Sequence, residues 1–261
     1  MEDKRKIRPK LSSAKTSWGK VASWYSGMVE DDSGSYQKDL ILPNLLRLMK
    51  IQPDENILDL ACGQGFFSRE FKKGGANVVG ADIAPELIKI AKDKSADIKY
   101  LVVPADKLSV EDRKFDKATI VLAIQNIENV AGTFSECSRV LKKDGQLFIV
   151  MNHPSFRIPK KTSWGWDEKL GIQYRRVDSY LFESQTQIDM HPGEKRREFT
   201  ITFHRPLQYY VKHLAKAGFA IVGLEEWNSN KVSDSGPRAG AENTARKEIP
   251  MFMTIIARKI L

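Results

Sequence analysis

From residue 56 onward the chain alternates short apolar runs with amphipathic segments, the pattern of strands and helices taken in turn. Asn56–Leu60 is a short apolar run and predicts a buried strand. Phe66–Lys73 follows as a helix, with Phe67 and Phe71 one turn apart on a single face. Asn77–Asp82 predicts a second strand. Pro85 suits the first position of the next helix, where its missing N–H is not needed, and Leu87, Ile88 and Ala91 mark the buried side. Residues 98–103 and 117–124 predict two more strands. Thr133 and Glu136 have the spacing of a capping box for a helix that buries Phe134, Cys137 and Leu141, with Lys142 and Lys143 at its C-terminus. Gly145 then turns the chain into a fifth strand, 146–151. Upstream, an apolar helical pattern runs from near Leu40 to Met49, with Pro43 held to its first turn.

Five apolar strands separated by helices imply an α/β fold, a mostly parallel sheet covered on both faces. A helix carrying Leu207, Tyr210, Val211, Leu214 and Ala215 stops at Gly218, and strands at 219–226 and 251–258 bring the sheet to seven. Two stretches stand outside the alternation. Residues 153–205 hold Trp164, Trp166, His191 and His204, and their alternation of Phe199, Ile201 and Phe203 with Thr200, Thr202 and His204 predicts at least one strand. An insertion this long with this aromatic content reads as a lid over a substrate. Residues 228–250 carry Ser235-Gly236-Pro237 and then a polar helical run. The expected organisation is a basic disordered tail, 1–15, and one domain, 16–261, with 153–205 as a lid insertion after the fifth strand.

Charge refines this picture through its location. The net charge is +9. Residues 1–20 carry +5, residues 153–205 carry +3 and residues 231–261 carry +3, so the excess lies outside the expected sheet. A basic tail and insertion could attract RNA, or could be solvated surface. No apolar run nears the roughly 20 residues of a membrane span, and the charged N-terminus lacks the apolar stretch of a secretory signal. Cys62 and Cys137 have no metal-ligand spacing and fit free thiols in a reducing, cytoplasmic setting.

The most informative segment is Ile57-Leu58-Asp59-Leu60-Ala61-Cys62-Gly63-Gln64-Gly65, a strand followed by a glycine turn and a helix. In open α/β sheets ligands bind at such strand ends, and small residues let the backbone approach them. Asp82 ends the next strand, where an acid accepts ribose hydroxyls. Ser68 stands where the dinucleotide fingerprint needs a small residue, so the glycine spacing alone leaves an NAD(P)-dependent oxidoreductase open.

Beyond spacing, Asp59-Leu60-Ala61-Cys62-Gly63-Gln64-Gly65 resembles motif I of class I S-adenosylmethionine (SAM)-dependent methyltransferases, particularly the ubiquinone/menaquinone-biosynthesis type. Gly80-Ala81-Asp82-Ile83-Ala84 resembles motif II, the run from Phe115-Asp116 to Gln125-Asn126 motif IV, and residues 140–147 the turn after it. Residues 18–25 resemble the segment that closes over SAM. The resemblance covers about residues 18–152 and implies a Rossmann-like fold with SAM as cofactor. It implies that Ala61, Gly63 and Gly65 face the methionine part and that Asp59 supports the turn and the amino group. It further implies that Asp82 holds the ribose, Ile83 lies against adenine, Gln125 sits near the sulfonium and Tyr25 covers the methionine. Pro104 stands where the family has an acid, so Asp106, or the Ala105 backbone alone, would serve adenine.

For the reaction, His153 leaves the fifth strand at the ligand edge and is the candidate base, with a strand-capping role as the alternative. Trp164, Trp166, Tyr174 and Tyr180 could line the lid or form its own core. Arg175-Arg176 and Arg196-Arg197 could bind phosphate or carboxylate, or face solvent. Glu225, Trp227, Arg238, Glu242 and Asn243 could form a second wall. The expected activity is methyl transfer from SAM to a small molecule under an aromatic lid, with RNA methylation and hydride transfer as alternatives.

Overall fold

The structure, a computed structural model, describes residues 17–30, 34–190 and 197–261; the side chains of Ser17, Tyr25, Met28 and Glu30 are not among those described. The expected basic tail, His191 and Arg196 lie outside these residues.

A 3-10 turn, Ser17–Val21, leads into α1 (Ala22–Glu30). A π-helical turn, Gln37–Ile41, runs into α2 (Leu42–Met49). The alternation then follows: β1 (Asn56–Leu60), α3 (Phe66–Lys73), β2 (Asn77–Asp82), α4 (Pro85–Lys94), β3 (Lys99–Val102) and β4 (Phe115–Val121). After a 3-10 turn, Ile124–Asn126, come α5 (Val130–Val140) and β5 (Leu141–Asn152). The insertion holds two hairpins, β6 (Thr162–Asp167) with β7 (Ile172–Val177) and β8 (Ser184–Asp189) with β9 (Phe199–His204). The chain closes with α6 (Leu207–Lys216), β10 (Phe219–Trp227), α7 (Ala239–Glu248) and β11 (Phe252–Lys259).

The main sheet has seven strands in the order β10-β11-β5-β4-β1-β2-β3. Strands β1 to β5 are parallel, and β11 lies antiparallel between β5 and β10. Successive residues of a strand face opposite sides, and both sides are covered here, which is why these strands read as unbroken apolar runs. On β5, Leu147, Ile149 and Met151 pack with Phe134 of α5 and Leu214 of α6. Phe148 and Val150 pack with Leu45 of α2, Phe71 of α3 and Ile88 of α4. Each such side chain, fully buried, contributes about 1.5–3 kcal/mol.

Two local expectations are corrected. Helix α5 begins a turn earlier than the Thr133/Glu136 pairing predicted, because Val130 is also buried. Its cap is Asn129, whose side chain accepts from Gly132 N at 3.0 Å. Thr133 Oγ1 donates back to Asn129 O, and Glu136 turns to Leu108 N and Arg139. Second, Lys142 and Lys143 are already on β5, whose first residue Leu141 pairs with Phe115. The alternation at 199–204 does form a strand, β9, and the face it buries is the polar one. Thr200, Thr202 and His204 are buried, while Phe199 is exposed and Ile201 and Phe203 are half-buried. A polar strand face turned inward needs polar company inside.

Candidate active site

The turn after β1 is built from backbone geometry. Ala61, Gly63 and Gly65 all have positive φ, at 56°, 57° and 78°. At Gly65 an added Cβ would lie 2.5 Å from the Tyr100 hydroxyl, so this position excludes any side chain on two counts. Asp82, at the end of β2, reaches across: Oδ2 accepts from Gly63 N at 2.9 Å and Oδ1 from Ala84 N at 2.8 Å. Burial raises its pKa, against the lowering effect of these amides and that of Ile83. With three amides on it, about one of the four lone-pair sites of this carboxylate is left to accept from a ligand. Beside it Ile83 keeps 37% of its surface exposed, an apolar shelf for an adenine ring.

Asp59 is wholly interior. Its Oδ2 accepts from Ser68 Oγ at 2.6 Å and its Oδ1 from Thr119 Oγ1 at 3.0 Å. Burial pushes its pKa up to about 6, opposed by those two hydroxyls and assisted by Asp82. Asp59 therefore braces the turn against α3 and β4, and Ser68 is occupied in holding it. It also borders a small cavity with Ala61, Cys62 and Gln64. Gln64 Nε2 is buried and has no partner among the described residues, a donor fit for the carboxylate of a bound amino-acid moiety. Gln64 escaped the motif reading because it sits between two glycines that draw the attention.

The other expected residues are placed as follows. Tyr25 lies on α1, and its side chain is outside the described residues. Ala105 packs against the core below β3. Asp106 accepts from Asn129 Nδ2 at 2.7 Å, which ties it to the α5 cap. Gln125 donates to Leu122 O at 2.8 Å, and its Oε1 is buried with no partner among the described residues. Gln125 and Leu122 stand beside a cavity of ≈540 Å³.

That cavity lies over the ends of β4 and β5. Trp18 borders it on one side, Asn152, Arg157 and Lys160 lie along the chain leaving β5, and Thr162, Arg175, Ile188, Thr200 and Thr202 of the two hairpins roof it. The expected aromatic lining is corrected. Trp164 stacks under Arg175, Trp166 under Arg238, and the Tyr180 hydroxyl accepts from Leu207 N; none of them, nor Tyr174, borders the cavity. Their rings brace the hairpins from outside.

His153 is also corrected. Its Nε2 lies 2.6 Å from Glu226 Oε1, and its Nδ1 accepts from Ser155 N at 3.1 Å and more weakly from Phe156 N. With Nδ1 accepting, the proton sits on Nε2 and points at Glu226. Both nitrogens are committed and the ring does not border the cavity, so His153 caps the strand end. The expected second wall is likewise structural. Glu225 pairs with Arg47, Arg238 with Glu168, and Glu242 and Asn243 hold Ser233. Arg205 is buried and clamps the carbonyls of Ile127 and Glu128 at 2.9 and 2.8 Å, fixing the end of the insertion to the loop after β4.

Residues 58–149 match a family described as methyltransferase domain. Among curated relatives, a ubiquinone/menaquinone biosynthesis C-methyltransferase of Zymomonas mobilis is 32% identical over 136 residues, 50% of this chain and 56% of its own length. A ubiquinone biosynthesis O-methyltransferase of Actinobacillus pleuropneumoniae is 32% identical over 145 residues, 49% of this chain and 59% of its own. The chain thus spans about half the length of the curated relatives it matches. A SAM-dependent methyltransferase from Mesorhizobium loti superposes with a TM-score of 0.66 at 27% identity, covering 83% of this chain and 96% of that one. The dinucleotide fold continues its strand order to a sixth parallel strand, whereas here β11 intrudes antiparallel between β5 and β10. Strand order, glycine turn and these likenesses together identify residues 58–149 as the methyltransferase domain of a class I SAM-dependent methyltransferase fold.

Proposed function

We propose that the chain transfers a methyl group from SAM to a small-molecule acceptor seated under residues 153–205, which act as the roof of its site. One observation carries this reading. The ≈540 Å³ cavity lies at the same sheet edge as the glycine turn and Asp82, and Gln125, whose Oε1 has no partner among the described residues, lines it.

SAM supplies, when bound, a methyl already activated on sulfur, so the C–S bond breaks as the acceptor's new bond forms and S-adenosylhomocysteine leaves. The chain's own residues hold and align. Asp82 receives the ribose hydroxyls, and Ile83 receives the adenine face. Gln125 Oε1 lies where a polar acceptor or a sulfonium would meet it. The roof keeps water from the transfer path. The described cavity lining contains no His, Asp or Glu, which fits a reaction driven by alignment rather than by a protein base.

The named relatives belong to ubiquinone or menaquinone biosynthesis, and an acceptor of that pathway is one member of the proposed class. The test is transfer of labelled methyl from SAM into a metabolite extract and into total RNA. Label in the small-molecule fraction is expected. Label only in nuclease-sensitive material, or none in either, contradicts the proposal.

A further inference from the structure

The roofed cavity contains a charge imbalance that methyl transfer by itself does not require. Arg157, Lys160 and Arg175 border it, and no carboxylate does among the described residues. Elsewhere among the described residues several arginines have carboxylate partners: Arg47 has Glu225, Arg139 has Glu136 and Asp112, Arg176 has Asp178, Arg238 has Glu168. The Arg157 guanidinium makes no hydrogen bond and no ion pair with any described residue, although protein crowds it closely enough to depress its pKa by desolvation. Arg175 donates Nε to Phe156 O at 3.0 Å and Nη2 to Thr162 Oγ1 at 2.8 Å, and stacks on Trp164. Those contacts fix its direction without neutralising it. Its pKa is lowered by desolvation and then by the charge of Arg157, so the two cations are near enough to repel.

Two partly desolvated guanidiniums that repel one another raise the free energy of the empty protein. A bound anion removes that penalty and gains forked, charge-assisted hydrogen bonds from both. The walls agree with a polar guest. Thr200 and Thr202 of β9 face inward where the strand's apolar residues would ordinarily go, and Gln125 Oε1 waits as an acceptor.

We infer that the acceptor carries an anionic oxygen group, a carboxylate or a phosphate, held between Arg157 and Arg175 so that its nucleophilic atom faces Gln125 and the methyl donor. This rests on the proposed function and names its substrate class. Arg157 and Arg175 are then acceptor-binding residues, and Lys160 adds to the field at the rim. Arg176, one residue further along β7, faces away and has no part in binding.

The test measures binding of benzoate, phenyl phosphate and neutral benzyl alcohol to the protein, with and without S-adenosylhomocysteine, at fixed ionic strength. Either anion should raise the melting temperature and bind at least about tenfold more tightly than benzyl alcohol. Preference between the two anions separates carboxylate from phosphate. Arg157→Met and Arg175→Met should each weaken the preferred anion by about 10–100-fold. Arg157→Lys should recover part of that loss, and Arg176→Met should leave the affinity unchanged. Equal binding of anions and benzyl alcohol, or anion binding indifferent to Arg157→Met, overturns the inference. Because the anion preference is read on the unliganded protein as well, its failure is distinct from a failure to bind S-adenosylhomocysteine, which would strike the proposed function instead.

Discussion

The turn after β1 and the cavity under the insertion lie at the same sheet edge but are built on opposite principles. At the turn, Asp59 is met by Ser68 and Thr119, and Asp82 by the amides of Gly63 and Ala84. Its acids are held by neighbours close in sequence or on adjacent strands, so the shape is preset before any ligand arrives. In the cavity, Arg157 has no hydrogen-bond or ion-pair partner among the described residues, and Arg175 is only steered. The first region spends its polar groups on rigidity, and the second keeps them in reserve. On the proposed function, a rigid donor site beside an unsatisfied acceptor site would let one fold keep its donor while its acceptor differs.

The largest effect that would sharpen this contrast concerns Asp59. Its pKa, raised to about 6, means that the folded protein binds more protons than the unfolded one between about pH 4 and pH 6. Its contribution therefore falls as pH rises through that window, by about 3 kcal/mol. In urea unfolding followed from pH 4 to 7, Asp59→Asn should lose this dependence relative to wild type. Parallel pH curves for the two proteins would mean that Asp59 is less interior than its surroundings indicate.

A smaller effect is expected at His153. His153→Phe removes its bonds to Glu226 and to the amides after it, and should cost about 1–3 kcal/mol of stability. Turnover at saturating SAM should keep the same shape of pH profile. Loss of one limb of that profile would return His153 to the role of base.

The smallest effect is at the α5 cap. Asn129→Ala should cost about 1 kcal/mol in thermal unfolding and release Asp106. If Asp106 serves adenine only when freed, S-adenosylhomocysteine will bind more tightly to this variant. Unchanged affinity leaves adenine to Ile83 and the backbone near Ala105.

The parts of the molecule that could be read from the chain share a physical feature: they are decided within one strand and its following turn. β1, α3 and β2 appear with the bounds the apolar pattern predicted, and Asp59, Gly63, Gly65 and Asp82 come together as their motif implies. The misread parts depend on contacts distant in sequence. The α5 cap moved because Val130 is buried by the sheet. Which face of β9 turns inward was not decided locally either: its threonines meet a cavity whose other walls include residues 122–126 and 152–160. Arg157 carried no local signal at all. Its importance depends on Arg175 arriving from β7, with no acid bordering the same cavity among the described residues. The aromatic residues invited a lid lining, yet Trp164 and Trp166 carry arginines on their faces instead. Among the described residues no helix is long and apolar enough to cross a membrane, in line with the absence of long apolar runs.

The central claim is most directly tested by calorimetric titration of the full chain with SAM, S-adenosylhomocysteine and NAD, on wild type and Asp82→Ala. Micromolar binding of SAM and S-adenosylhomocysteine is predicted, with no binding of NAD. Asp82→Ala should weaken it by about 100-fold or more, since the change removes the ribose acceptor and frees the Gly63 amide together. Binding of NAD in place of SAM, or SAM binding indifferent to Asp82→Ala, would contradict the account.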